Sequence, residues 1–312
     1  MRFRSRLETL PEASAVAIGN FDGFHAGHRR IIETLAEAAR CQGLQSVVLT
    51  FHPHPRIFFG QEIRLISTDR QRLELLKGQA LDRLFFLDFA SVAFCPAGDF
   101  VRDILLGSLR LKILVVGEDF RFGRGREGDL EFLGRQAAAR QFTLIQATGV
   151  EFDGCRVTSS RIRKKLAAGA IREANRMLEK PYFIDGIVVR GAGRGKALGF
   201  PTMNIASDNA ILPRGVFHTQ LGIAGRRYAS VTNIGSAPTF RSPAGPAHGG
   251  LTPKGSAQRG LRVETHIPGF RSMVYGKKIR LHFIDKIRSE RQFANSGDLA
   301  EQIRRDIAFL GI

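Results

Sequence analysis

Long hydrophobic runs are missing from this chain: none approaches the ~18 apolar residues that span a bilayer. The opening stretch Met1-Arg2-Phe3-Arg4-Ser5-Arg6 leads into no signal-peptide core. Cysteine is scarce, and Cys41, Cys95 and Cys155 form an odd, widely spaced set with no metal-type pairing. A reduced, cytoplasmic setting is the expectation. Acidic residues are few as well, 29 against 47 Lys and Arg, which leaves a net charge of +18. Such an excess suits a nucleic-acid partner. It is spread out, however, as +7 up to residue 183 and +11 beyond. No long basic tail exists, and no Arg/Lys run alternates with aromatics as a base-stacking platform requires. Nucleic acid is the lesser reading, and attraction of anionic nucleotides accounts for part of the charge.

The 43% apolar and 24% charged residues are those of a soluble globular protein. A length of 312 residues is enough for one large or two ordinary domains. Up to about residue 178 the pattern alternates strand and helix. Apolar runs at Ala15–Ile18, Ser46–Phe51, Arg83–Leu87 and Ile113–Val116, with a weaker one at Phe142–Gln146, are separated by helical stretches such as Asp69–Gly78 and Asp99–Leu106. This rhythm predicts a parallel sheet covered by helices, with ligands beyond the carboxyl ends of its strands. After Pro181 the segments Phe183–Arg190, Gly215–Ile223, Arg227–Ile234, Leu261–Ile267 and Lys278–Phe283 are short, alternate in polarity and end in Gly/Pro turns. An antiparallel barrel or sandwich is expected there. The closing helix is expected from Ser296 to Leu310, with Leu299, Ile303, Ile307 and Leu310 on one face. Residues 241–260 read as a loop, and the junction falls near Leu178–Phe183, dividing the chain into 1–180 and 181–312.

Three constellations carry chemistry. The first is Gly19-Asn20-Phe21-Asp22-Gly23-Phe24-His25-Ala26-Gly27-His28, set between a strand and a helix with apolar Ile31, Ile32, Leu35, Ala36 and Ala39. A glycine-rich turn at a helix N-terminus aims unpaired N–H groups and a positive dipole end at its guest, and two imidazoles add donors. A polyphosphate fits. A metal site completed by His52 and His54 is the alternative, but no carboxylate or Cys follows at helical spacing. The second is Thr158-Ser159-Ser160-Arg161-Ile162-Arg163, hydroxyls that N-cap a helix whose first turns are basic. Positive charge there is unfavourable unless an anion compensates it, so the run reads as a second anion clamp. The third is Gly191-Ala192-Gly193-Arg194-Gly195-Lys196-Ala197-Leu198-Gly199-Phe200-Pro201-Thr202-Met203-Asn204. It is no Walker P-loop, because Lys196 precedes Ala197 rather than Ser or Thr. Its glycines with Arg194 and Lys196 suggest a flap over phosphates. Thr202 and Asn204, two apart on an extended segment, share a side and offer neutral oxygens suited to magnesium held with nucleotide phosphates.

Taken in order, these stretches resemble the prokaryotic bifunctional riboflavin kinase/FAD synthetase family from about Ala15 to Leu310. The resemblance is carried further by Thr50-Phe51-His52-Pro53-His54-Pro55, Val116-Gly117-Glu118-Asp119-Phe120-Arg121-Phe122-Gly123, Asn233-Ile234-Gly235, Pro238-Thr239-Phe240, Val263-Glu264-Thr265-His266 and Tyr275-Gly276. It implies a Rossmann-like α/β nucleotidyltransferase domain followed by a six-stranded riboflavin kinase barrel with a C-terminal helix. It also implies ATP as co-substrate, Mg2+, and FMN and FAD as products. Residues Gly19, Asn20, Phe21, Asp22, His25, His28, Ser159, Ser160, Arg161, Arg163, Gly193, Arg194, Lys196, Gly199, Pro201 and Thr202 would then bind nucleotide. His52, Asp119, Phe120 and Asn233 would bind flavin, Thr202 and Asn204 the metal, and His28 and Glu264 would be catalytic, Glu264 matching the family's base.

Departures from the family pattern fall in the second half. Met203 stands where the family usually has Ala, and Pro268-Gly269-Phe270 and Met273-Val274-Tyr275-Gly276 replace stretches that are commonly acidic. An FAD synthetase with a weakened kinase half, or a basic regulatory protein on the same scaffold, are the competing expectations. Retention of hydroxyls, histidines and glycines at both phosphate sites favours catalysis, since simple electrostatic binding needs only Lys and Arg.

Overall fold

Parallel strands buried on both faces read as continuous apolar runs, and Ser14-Ala15-Val16-Ala17-Ile18 is buried at every position. The computed structural model describes residues 2–4, 7–191, 195, 198–236, 260–272 and 274–311. Gly193, Arg194, Lys196, Pro238-Thr239-Phe240, Met273 and nearly all of the 241–260 stretch lie outside the described residues. Two compact units divide the chain, Met1–Ile63 with Asp69–Ser159, and Arg64–Thr68 with Ser160–Ile312.

The first unit is built on six parallel strands: β1 (Arg2–Arg4), β2 (Ser14–Ile18), β3 (Gln45–His52), β4 (Arg83–Asp88), β5 (Leu111–Gly117) and β6 (Thr143–Ala147), in the order β1-β4-β3-β2-β5-β6. Side chains alternate between two cores, as the period of a strand requires. Ala15, Ala17, Val48, Ile113 and Val115 meet Ile32, Leu35 and Ala39 of α1 (Ala26–Gln42) and Leu76, which belongs to a later helix. Val16, Ile18, Val47, Leu49, Leu114 and Val116 meet Phe100, Val101, Leu105 and Leu133 on the opposite face. The remaining helices are α2 (Pro55–Phe58), α3 (Asp69–Lys77), α4 (Ala97–Asp99) continuing as a π-helix over Phe100–Ser108, and α5 (Leu130–Arg140). A two-stranded hairpin, β7 (Glu151–Phe152) with β8 (Cys155–Arg156), closes the unit. From β2 the chain adds strands on one side, then returns to place β5 and β6 on the other. The order reverses between β2 and β5, which opens a crevice beyond their carboxyl ends.

The second unit opens with α6 (Ser159–Ala167), whose first residue belongs to the first unit, and α7 (Ile171–Leu178). Asn175 ties α7 to the barrel: its amide donates to Phe283 O at 2.9 Å and its Oδ1 accepts from Tyr182 N at 2.7 Å. Six antiparallel strands, β9 (Tyr182–Val189), β10 (Thr202–Ala206), β11 (Gly215–Ile223), β12 (Arg226–Ser236), β13 (Leu261–His266) and β14 (Lys278–Arg288), close into a barrel in the order β10-β13-β12-β11-β14-β9. Of the barrel and the sandwich, the barrel is what forms. Its interior mixes apolar Phe217, Leu221 and Phe283 with a chain of fully buried hydroxyls. Thr219 Oγ1 meets Ser230 Oγ at 2.8 Å and Thr232 Oγ1 at 2.7 Å, and Thr232 meets Thr265 at 2.9 Å. Each hydroxyl is both donor and acceptor, so the chain satisfies itself without water.

The C-terminal helix α8 spans Ser296–Ala308, two residues short of the expected end, because Leu310 lies in the turn that follows. Its expected apolar face is only half-buried, and its one fully buried residue is Asp306. Asp306 accepts from Arg288 Nη2 at 2.8 Å and from Gln302 Nε2 at 2.7 Å. Removing one partner of such a pair strands the other charge, so Asp306→Ala is expected to destabilise the barrel by about 3 kcal/mol. Chemical unfolding of the two proteins side by side measures this.

Candidate active sites

Three of four consecutive residues in the turn after β2 have left-handed backbone: Phe21 at φ 49°, Gly23 at φ 79° and Phe24 at φ 46°. Glycine tolerates this conformation, but phenylalanine adopts it only where the surroundings enforce it. Both aromatic side chains are fully buried and supply that enforcement. The strained turn delivers the chain into α1 with His25 as N-cap, its Nδ1 accepting from His28 N at 3.4 Å. Nδ1 is thereby the acceptor, and the proton of a neutral His25 sits on Nε2. The His28 ring stacks on His25, centroids 3.7 Å apart, and meets the Phe21 ring edge-on at 5.3 Å. No acidic residue occupies the first turn of α1 to neutralise its dipole. Asn20 Oδ1 is buried without a hydrogen-bond partner, and such an atom in a native fold calls for an explanation.

Ser159 reaches this turn, its Oγ donating to Asp22 O at 3.1 Å. The structure thus brings Gly19, Asn20, Phe21, Asp22, His25, His28 and Ser159 together. Ser160, Arg161 and Arg163 follow on α6 in the second unit. Of the expected flavin residues, His52 ends β3 and Asp119 and Phe120 follow β5, so they flank β2 on opposite sides. His52 Nδ1 lies 2.5 Å from Asp69 Oδ2. Asp119 pairs with Arg156 at 3.2 Å, and Phe120 stacks on Phe122 at 5.5 Å. His54, the alternative metal ligand, instead caps α2, its Nδ1 accepting from Arg56 N at 3.2 Å. Among the described residues no group of three or more His, Cys, Asp or Glu is placed to hold a metal.

Two features of this region escape a reading by motif. Phe58, Phe59, Phe89 and Phe94 form an aromatic cluster with centroids 5.2–6.3 Å apart, and Phe59 and Phe94 are 53% and 66% exposed. The adjacent phenylalanines were the available signal, since a chain seldom exposes large aromatics without use. A cavity of about 460 Å³ beyond β6 is lined by Arg30 and Thr34 of α1 and by Gln146, Ala147, Thr148 and Gly149.

In the barrel, register assembles the second site. Asn204 of β10 pairs with Glu264 of β13, which pairs with Asn233 of β12, and Thr202 pairs with His266 two residues along. Cross-strand partners share a face about 5 Å apart. Thr265 points into the barrel, so the row Asn204–Glu264–Asn233, with Thr202 beside it, lies on the outer surface. His266 Nδ1 meets Pro201 O at 2.9 Å and steadies the strand ahead of Thr202. Asn204 lies against Gly191, where a Cβ would stand 1.9 Å from its Nδ2, so any larger residue there would displace the Asn204 amide. Gly199, at φ 84°, turns the chain just before the strand. Sequence reasoning missed Glu290, whose carboxylate rests on Gly235 beside the same row and takes the space a Cβ would fill.

Comparison with known proteins is consistent across both units. A family model described as FAD synthetase matches residues 7–161, and one described as riboflavin kinase matches 178–310. The bifunctional riboflavin kinase/FMN adenylyltransferase of Pseudomonas fluorescens is 35% identical over 299 residues, covering 93% of this chain and 90% of that protein. The protein of the same name from Escherichia coli (strain K12) is 33% identical over 303 residues, covering 95% and 91%. A solved structure described as a macrolide-efflux protein from Streptococcus pneumoniae shares the fold with a TM-score of 0.83 at 27% identity, over 96% of this chain and 94% of that one. Among the described residues no helix is long and apolar enough to cross a membrane. With both halves matched in order and relatives aligned nearly end to end, the chain belongs to the family of bifunctional riboflavin kinase/FMN adenylyltransferases.

Proposed function

We propose that the protein transfers the γ-phosphoryl group of ATP to riboflavin, giving FMN, and joins FMN to the AMP part of ATP, giving FAD and pyrophosphate. Adenylyl transfer is assigned to residues 1–180 and the kinase to 181–312. The observation that carries this reading is the coexistence in one chain of a strained, histidine-lined turn at a sheet's switch point and a carboxylate flanked by neutral oxygen-bearing side chains on a barrel.

In adenylyl transfer an FMN phosphate oxygen attacks the α-phosphorus of ATP. A phosphorus–oxygen bond forms, and the bond to the departing pyrophosphate breaks. The nucleophile is already an anion, so no strong base is needed, and the work is positioning and charge neutralisation. The α1 N-terminus, His25 Nε2–H and His28 supply donors, with Ser159, Ser160, Arg161 and Arg163 as the second clamp. Asn20 Oδ1, the buried orphan acceptor, supports a ligand contact at this turn. The aromatic cluster suits the flat isoalloxazine, and His52, Asp119 and Phe120 belong to the flavin side. Phe59→Ala is expected to raise the KM for FMN roughly tenfold, the loss of one stacking surface. Steady-state kinetics of FAD formation measure it.

In the kinase reaction the nucleophile is an alcohol, which gains from a base as its proton leaves. Glu264 takes the proton of riboflavin's terminal hydroxyl while the oxygen attacks the γ-phosphorus and ADP departs. Asn233 contacts the flavin. Thr202 and Asn204 hold magnesium, whose oxygen preference matches their donors and which, when bound, offsets phosphate charge. Gly199 and Pro201 lie on the nucleotide side of the strand, the role the sequence also suggests for Gly193, Arg194 and Lys196. Incubation with riboflavin, ATP and magnesium, with products resolved over time, is expected to show FMN and then FAD. No FMN would remove the kinase, and FMN without FAD would remove the adenylyltransferase.

A further inference from the structure

We infer that Arg72 is a positioning residue for adenylyl transfer, setting the Asn20 carbonyl directly and the His52 imidazole through Asp69. The inference rests on the proposed reading of the Gly19–His28 turn as the nucleotide site and of His52 as a flavin-side residue.

Arg72 is 2% exposed, among the largest fully enclosed side chains of the molecule. Its Nη1 donates to Asn20 O at 2.9 Å, and Nη2 donates to Phe51 O at 2.7 Å and to Asp69 Oδ1 at 2.6 Å. The guanidinium also lies 4.4 Å from the Phe86 ring centroid. Burial pulls its pKa below the ordinary guanidinium value, against the opposing pull of Asp69 and Asp22. Taking a cation out of water is costly, and a role in packing alone would be met by an apolar side chain of similar volume. What an apolar residue cannot do is donate to two carbonyls at once.

Those two carbonyls sit where adjacent strands β2 and β3 leave the sheet. Asn20 precedes the left-handed Phe21, so its carbonyl direction fixes how the turn enters α1. Thr50 Oγ1 also faces that oxygen, but at 3.5 Å, too long to fix it. The second arm runs through Asp69, which divides its carboxylate, Oδ1 to Arg72 and Oδ2 to His52 Nδ1 at 2.5 Å. The His52 side chain is 59% exposed, so little but this contact fixes its ring. With Nδ1–H given to the carboxylate, a neutral ring keeps Nε2 as an acceptor. One buried cation therefore reaches both the nucleotide turn and the flavin-side imidazole.

The test compares His52→Ala, Asp69→Asn and Arg72→Met in FAD synthesis from supplied FMN, with FMN formation from riboflavin on the same preparations as control. His52→Ala and Asp69→Asn are each expected to raise the KM for FMN roughly tenfold, the loss of one charge-assisted contact. Asp69→Asn is expected to leave the KM for ATP unchanged. Arg72→Met is expected to raise the KM for both substrates. The double variant Asp69→Asn/His52→Ala is expected to match His52→Ala alone, since Asp69 acts through that ring. Should Arg72→Met fail to fold, Asp69→Asn on its half-exposed side chain carries the test. A raised KM in His52→Ala with none in Asp69→Asn overturns the inference and leaves the flavin-side reading intact. Fully additive effects in the double variant also overturn it. An unchanged KM in His52→Ala removes the flavin-side reading and the inference together.

Discussion

His28→Ala is expected to lower FAD formation by ~10²-fold or more while FMN formation continues, the scale of losing one preorganised donor at a developing charge. His28 sits in the first turn of α1, where the helix dipole already favours an anion. Its ring is held by the His25 stack at 3.7 Å and the Phe21 edge at 5.3 Å, so it has paid little of its orientation cost when ATP arrives. Alanine keeps the helix and removes the donor. The FMN rate, measured on the same protein, separates this from general unfolding. Equal loss of both activities would contradict the assignment of His28 to adenylyl transfer.

Glu264→Gln is expected to slow riboflavin phosphorylation at least ~10-fold, with FAD synthesis from supplied FMN unaffected. Glutamine retains the size and the strand register that sets Glu264 between Asn204 and Asn233. It cannot accept the alcohol's proton. Phosphoryl transfer has a loose transition state in which the proton leaves late, so a modest base effect is expected beside the larger positioning effects. Initial rates of FMN formation under saturating ATP measure this. Unchanged turnover would take Glu264 out of the mechanism. The intact row also speaks against the competing expectation of a weakened kinase, and a match to both family models leaves the nucleic-acid reading unfavoured.

Strands buried on both faces were legible because their composition needs no partner to be recognised: β2, β3, β4 and β5 all lie where apolar runs predict them. The amphipathic stripe Ile32, Leu35 and Ala39 similarly announces α1. Beyond local pattern, legibility ended. Strand β1 is three residues, two of them arginine, and β7 and β8 are two residues each, too short to show a period. Barrel closure depends on β9 pairing with β14 and β10 with β13, long-range registers that no single segment encodes. The hydroxyl chain Thr219–Ser230–Thr232–Thr265 alternates with apolar neighbours and reads as a solvated face until closure turns it inward. The turn between β2 and α1 was visible because glycine, Asn and His cluster in ten residues. Arg72 was not, although its place four residues before buried Leu76 on α3 marks it as a core position holding a charge.

The central claim is that two ATP-dependent reactions run at two separate sites, one cutting at the γ-phosphorus and the other at the α-phosphorus. Supplying riboflavin with ATP labelled at one phosphorus or the other tests it directly. The account predicts γ-label in FMN and both labels in FAD, with His28→Ala removing the α-label from flavin and Glu264→Gln slowing entry of the γ-label. Retention of α-label incorporation in His28→Ala, with γ-label entry lost instead, would contradict it.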